Sequence, residues 1–235
     1  MKLLKHLLLP ALLVVSSSAS ATLIDFKAMA NGVASYDTFT GLNYGESAWT
    51  ALNLQADFGI DVSIQGKAGG VIKYAYLDWG NAGLGACRTL NSLGMTKLNQ
   101  KTDVSTNLCD PGSDDNVTVT ESLLFTFNEA VSIDKLWFNN AHDHDFSLNG
   151  NKINIGGTLK TFSAADKVAP RTTDWLYSSL LNFDAGDTLE ISYVDEEFYL
   201  SAMSISKREV PEPASLAILG LGMLGLGFAR RRSVK

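Results

Sequence analysis

The sequence predicts an all-β fold, an antiparallel β-sandwich of jelly-roll type, and three observations predict it. From Thr22 onward, short extended runs are separated by Gly, Asn and Asp, with no sustained 3.6-residue apolar period. Several runs alternate: Leu123, Phe125 and Phe127 share one parity, as do Leu189, Ile191 and Tyr193, the pattern of a sheet with one buried and one wet face. Seven or more such runs with turn signals between them call for two sheets packed face to face.

In chain order, the first element is an export segment. Lys2 and Lys5 give it a positive start, residues 7–15 an apolar run, and Ala19-Ser20-Ala21 the small-x-small pattern that signal peptidase accepts. Residues 1–21 are therefore expected to be removed as a signal peptide, leaving Thr22 as the mature start. Residues 22–206 form one secreted domain, large enough for a well-buried core. Its expected strands are 60–64, 71–79, 117–127, 131–138, 152–155, 188–194 and 198–206. Residues 82–112, rich in Gly, Asn and Thr, are expected to be a long surface excursion. Cys87 and Cys109, an even pair in an exported chain, are expected to close a disulfide.

Residues 22–206 hold eleven Lys and Arg against twenty-three Asp and Glu, a net charge of −12 where the whole chain has −6. So acidic a surface repels phosphate backbones, which excludes nucleic acid as a partner and favours divalent cations or neutral glycans.

The last segment, 207–235, begins with a short linker through residue 213. Val210-Pro211-Glu212-Pro213 precedes an uncharged run over 214–229, followed at once by Arg230, Arg231 and Arg232. A transmembrane helix over those sixteen residues is about 24 Å long, just short of a ~30 Å hydrocarbon core, so it spans with local thinning. The arginines belong on the cytoplasmic side, which leaves the domain outside. Gly220-Leu221-Gly222-Met223-Leu224-Gly225 satisfies a G-x-G-x-x-G string, but it lacks the strand before and the βαβ unit after that a dinucleotide site needs.

That order of motif, Gly-rich apolar helix and basic tail resembles the PEP-CTERM sorting signal of Gram-negative bacteria. The resemblance covers about the last twenty-six residues. It implies a transient inner-membrane anchor, recognition by an exosortase (a membrane-embedded cysteine transpeptidase), cleavage near the motif, and delivery to the outer surface or the extracellular space. The two prolines suit a protease handle, because they hold the backbone extended and deny it a helix just outside the bilayer.

Two clusters in the domain could carry chemistry. Asp110, Asp114, Asp115 and Asn116 gather oxygens in a turn-rich segment beside Cys109, the donor type that calcium takes, although the spacing is not that of an EF-hand. His142, Asp143, His144 and Asp145 alternate, which in an extended loop puts imidazoles on one face and carboxylates on the other, a second candidate metal set. Trp49, Tyr74, Tyr76, Trp79, Trp137, Trp175 and Tyr199 are candidates for stacking on sugar rings where exposed. There is no G-x-S-x-G, H-E-x-x-H or P-loop. The expectation is a non-catalytic binding or structural component of the envelope or biofilm matrix, associated with exopolysaccharide and with calcium as its candidate cofactor. The alternative is a secreted polysaccharide hydrolase, which needs only two well-spaced carboxylates.

Overall fold

The alternating runs become strands with one buried face in the computed structural model, which describes residues 20–32, 44–91, 101–110, 115–139, 142 and 147–208. The strands are β1 (Thr22–Asp25), β2 (Ser47–Trp49), β3 (Leu52–Asn53), β4 (Val62–Ala68), β5 (Val71–Asp78), β6 (Gly83–Cys87) and β7 (Glu121–Phe127). They continue as β8 (Val131–Asn139), β9 (Lys152–Ile155), β10 (Thr158–Thr161), β11 (Trp175–Phe183), β12 (Thr188–Tyr193) and β13 (Tyr199–Lys207). Two short helices, α1 (Phe26–Ala30) and α2 (Gln55–Phe58), and a 3-10 turn at Ala164–Asp166 complete the described elements.

One sheet runs β7-β12-β9-β10 and the other β6-β13-β8-β11, and their ladders are antiparallel. From β6 onward each strand crosses to the opposite sheet, save at the β9–β10 hairpin. That strand order is the two interleaved Greek keys of a jelly roll. β4 extends the first sheet beside β7, and β5 extends the second beside β6. The β4–β5 hairpin thus bends from one sheet to the other. Its bend is tight: a Cβ on Gly66 would lie 2.1 Å from the Tyr74 carbonyl oxygen, so only glycine fits there.

The core fills the space between the sheets. Leu123, Phe125 and Phe127 from one sheet and Ile133, Leu136 and Phe138 from the other are wholly buried. Phe127 stacks on Phe183 with ring centroids 4.3 Å apart, and Phe138 meets Phe198 edge-on at 5.4 Å. A smaller cluster of Ala48, Tyr76, Cys87 and Cys109 lies on the other side of β5. Ala75 and Leu77 of β5 belong to the main core while Tyr76 belongs to this second one, so β5 is buried on both faces toward its end.

Three expected elements differ from those observed. The excursion expected over 82–112 contains β6, buried at all five positions. The strand expected over 117–127 starts only at Glu121, because Thr120 adopts φ 67° in a turn while Val117 makes a separate bridge to Phe198. The strand expected over 60–64 starts at Val62 and runs on to Ala68. β11, like β1, β2, β3 and β10, was not expected at all; its alternation is broken by a bulge between Ser178 and Leu181. The export segment to residue 19, Val210, Pro211, Glu212, Pro213, the apolar run 214–229 and Arg230–Arg232 lie outside the described residues. Among the described residues no helix is long and apolar enough to cross a membrane.

Candidate functional site

One end of the sandwich gathers the ends of four strands. Asp78 closes β5 opposite Gly83, the first residue of β6, and Asn139 closes β8 opposite Tyr199, the first residue of β13. Asp115 and Asn116 reach this end because the chain after the disulfide docks there. The Ala86 N–H donates to the Asn116 carbonyl at 3.3 Å, and Val117 and Phe198 exchange backbone bonds. Glycine makes that approach possible, since a Cβ on Gly85 would sit 2.1 Å from the Asp115 carbonyl oxygen. His142, on the β8–β9 connection, lies over the β5–β6 turn; a Cβ on Gly80, at φ 79°, would come within 2.7 Å of its Nε2.

The result is a group of Asp78, Asp115 and His142, each offering one ligand atom, with those atoms within 4.8 Å of one another. His142 Nδ1 stands 2.9 Å from Asp78 Oδ2, and that oxygen has no hydrogen-bond partner among the described residues. The Tyr199 hydroxyl donates to Asp115 Oδ1 at 2.6 Å, and the His142 ring meets the Tyr199 ring edge-on at 5.7 Å. Asp78 is 3% exposed, whereas the His142 side chain is 42% exposed and forms the outer wall. Burial, then the neighbouring charges of Asp115 and Glu46, push the Asp78 carboxyl up to about 8. Burial and the facing Asp78 and Asp115 carboxylates likewise raise the Tyr199 hydroxyl. Tyr76 is raised by burial and by Glu46, to which its hydroxyl donates at 3.0 Å.

The two clusters singled out in the sequence therefore each send one member to this group, Asp115 and His142. Asn116 is buried beside Asp115, and its Oδ1 has no hydrogen-bond partner among the described residues. Asp110 stays with the disulfide segment, its N–H bonded to the Thr89 carbonyl at 2.9 Å, and is not part of the group. Asp114, Asp143, His144 and Asp145 lie outside the described residues. Sequence reasoning missed Asp78. Its only signal was a carboxylate ending an apolar run just before Trp79-Gly80-Asn81, where a solvated turn residue is the commoner outcome.

Cys87 and Cys109 form the expected disulfide, with Cα atoms 5.9 Å apart. Of the candidate stacking aromatics, Tyr76, Trp137, Trp175 and Tyr199 are buried, and Trp49 packs partly buried against the main core. Trp79 is 61% exposed beside Asp78. Tyr74 is half-buried in a cleft of about 480 Å³ on the disulfide face, lined also by Leu90, Asn91, Val104, Ser105 and Thr106.

Residues 209–232 match the family described as the PEP-CTERM protein-sorting motif. No curated protein and no solved structure matches the chain.

Proposed function

We propose that this PEP-CTERM sorting-domain protein, exported to the envelope and sorted by exosortase-type machinery through its C-terminal signal, works as a non-catalytic binding module for extracellular polysaccharide. The Tyr74 cleft carries the reading. It joins a half-exposed aromatic ring to amide and hydroxyl side chains in a concavity of ligand size, the mix that lets a sugar stack its C–H face and exchange hydrogen bonds at its hydroxyls. The domain's net charge of −12 favours an uncharged glycan, or an acidic one bridged by a cation. In this reading the apolar run 214–229 holds the chain briefly in the inner membrane, and cleavage near Pro211-Glu212-Pro213 passes it to the outer surface as a matrix component.

Retention of the protein on polysaccharide prepared from its own cells tests the proposal. Tyr74→Ala is expected to weaken retention about tenfold, the size of one lost aromatic contact, without releasing any sugar product. Equal retention of the two proteins would remove the cleft from the account. Release of oligosaccharide that stops on a single Asp or Glu substitution would make the protein a hydrolase instead.

A further inference from the structure

We infer that Asp78, Asp115 and His142 hold a divalent transition-metal ion of the zinc class at the loop end of the sandwich. The inference stands apart from the glycan reading.

The fold shows twice what it supplies to a buried carboxylate that serves structure alone. Asp174, 1% exposed, takes Lys27 at 3.0 Å, Arg171 at 3.1 Å, and the hydroxyls of Thr173 and Ser201. Glu121, 2% exposed, takes Arg88 at 2.6 Å and the Thr118 N–H at 3.1 Å. Asp78 is as deeply placed, yet among the described residues it has neither lysine nor arginine: its ion-pair neighbour is the His142 imidazole at 2.9 Å, the Tyr199 hydroxyl and the Trp79 N–H lie within hydrogen-bond reach of it, and the Asp115 and Glu46 carboxylates beside it have its own sign. Its Oδ2 has no hydrogen-bond partner among the described residues, although His142 Nδ1 stands 2.9 Å away. Two carboxylates crowded together with an unpartnered buried oxygen are costly for a fold to keep unless a cation enters between them.

The donors select the ion. Calcium takes six to eight oxygens, whereas imidazole nitrogen beside carboxylate oxygen suits zinc and its first-row neighbours. Ligand atoms of a tetrahedral ion bound at 2.0–2.2 Å stand about 3.4 Å apart, and the group has one pair at 2.9 Å and every pair within 4.8 Å, so an ion is admitted by movements of about an ångström. Outer supports are in place. Tyr199 orients Asp115 by its hydrogen bond, and Gly80 leaves the room that His142 occupies. Asn116 and Asn139, 4% and 5% exposed and each with an Oδ1 that has no partner among the described residues, add acceptor oxygens at the same end of the sandwich. Bound there, an ion would tie the end of β5 to the β6–β7 and β8–β9 connections, three segments far apart in sequence.

The full chain, purified in detergent without a histidine tag, stripped with chelator and dialysed, is titrated with Zn²⁺, Co²⁺ and Ca²⁺ separately. One Zn²⁺ per chain, a raised melting temperature and visible d–d absorption with Co²⁺ are expected. Asp78→Asn and His142→Gln are each expected to weaken Zn²⁺ binding by more than the roughly 10–100-fold that an outer-shell partner is worth. His142, exposed and without a core role, keeps that test free of misfolding, and its variant should melt like the wild type in chelator. Absence of Zn²⁺ binding, undiminished binding by His142→Gln, or a response to Ca²⁺ and not Zn²⁺ would each overturn the assignment.

Discussion

Asp174 holds together three parts of the chain. Lys27 reaches it from α1, Arg171 from the segment before β11, and Ser201 from β13. Its Oδ1 and Oδ2 are both occupied, so the desolvation of a carboxylate that is 1% exposed is offset by charge and hydrogen bonds. Asp174→Asn keeps the shape and removes the charge, leaving two half-buried cations facing a neutral amide. A loss of about 3 kcal/mol in urea unfolding is expected, against less than 0.5 for a surface change such as Lys73→Gln. Glu190 makes a different kind of contribution. Partial burial raises its acidity constant's pKa, but bonds from Lys67 at 2.8 Å and from the Ser122 hydroxyl at 2.6 Å outweigh that and hold it below the usual carboxylate range. A carboxyl depressed in the folded state stabilises the protein above the unfolded pKa of about 4.3 and stops doing so as pH falls through its folded value. Melting followed from pH 6 down to pH 3 should therefore decline less steeply in Glu190→Gln than in the wild type.

Among the elements, β6 shows most plainly what a linear sequence hides. Gly83-Leu84-Gly85-Ala86-Cys87 has no bulky alternation and lies in a stretch rich in turn formers, so by propensity it reads as loop. It is a strand because its small residues let other backbones press against it: a Cβ on Gly83 would be 2.7 Å from the Leu200 carbonyl oxygen, and one on Gly85 2.1 Å from that of Asp115. Gly85→Ala has no flexible side chain to push aside and must displace backbone. It is expected to destabilise by about 1–3 kcal/mol and, because Asp115 must move, to weaken any Zn²⁺ binding at the loop end in parallel. By contrast β7, β8, β9 and β12 were legible because each alternates against a solvated or half-solvated face. The site was half legible for a related reason. Asp115 and His142 advertised ligand chemistry in their local sequence, but Asp78 becomes their neighbour only through the strand order of the jelly roll, which local periodicity does not encode. The disulfide was legible from compartment and count. It closes a separation of 22 residues around the cover of the second core, so replacing both cysteines by alanine should lower unfolding free energy by about 3 kcal/mol on the chain-entropy account.

At the scale of the whole molecule, the register of β1 against β13 places both ends of the domain together. Thr22 stands opposite Ile205, and β13 ends at Lys207, whose neighbour Arg208 still donates its N–H to the Ala130 carbonyl. The matched sorting motif begins one residue later, at 209. Tyr199, at the other end of β13, sits eight residues from Lys207, about 27 Å at the usual rise of a strand. The Asp78–Asp115–His142 group therefore faces away from the end where the sorting signal leaves, and a chain held by that signal would present the group outward. The short spacing between sheet and motif also bears on processing. A cut at Pro211-Glu212-Pro213 leaves all of β13 paired, whereas one two or three residues earlier would reach Arg208. Intact mass of the protein from its own cells should accordingly correspond to a start at Thr22, an end within a few residues of Pro213, and two hydrogens fewer than the reduced chain. Pro211→Ala with Pro213→Ala is expected to leave the tail uncut and the protein in the membrane fraction, with the same melting temperature for the domain. Recovery of that variant at the processed mass would show that the cut is placed by something other than the paired prolines.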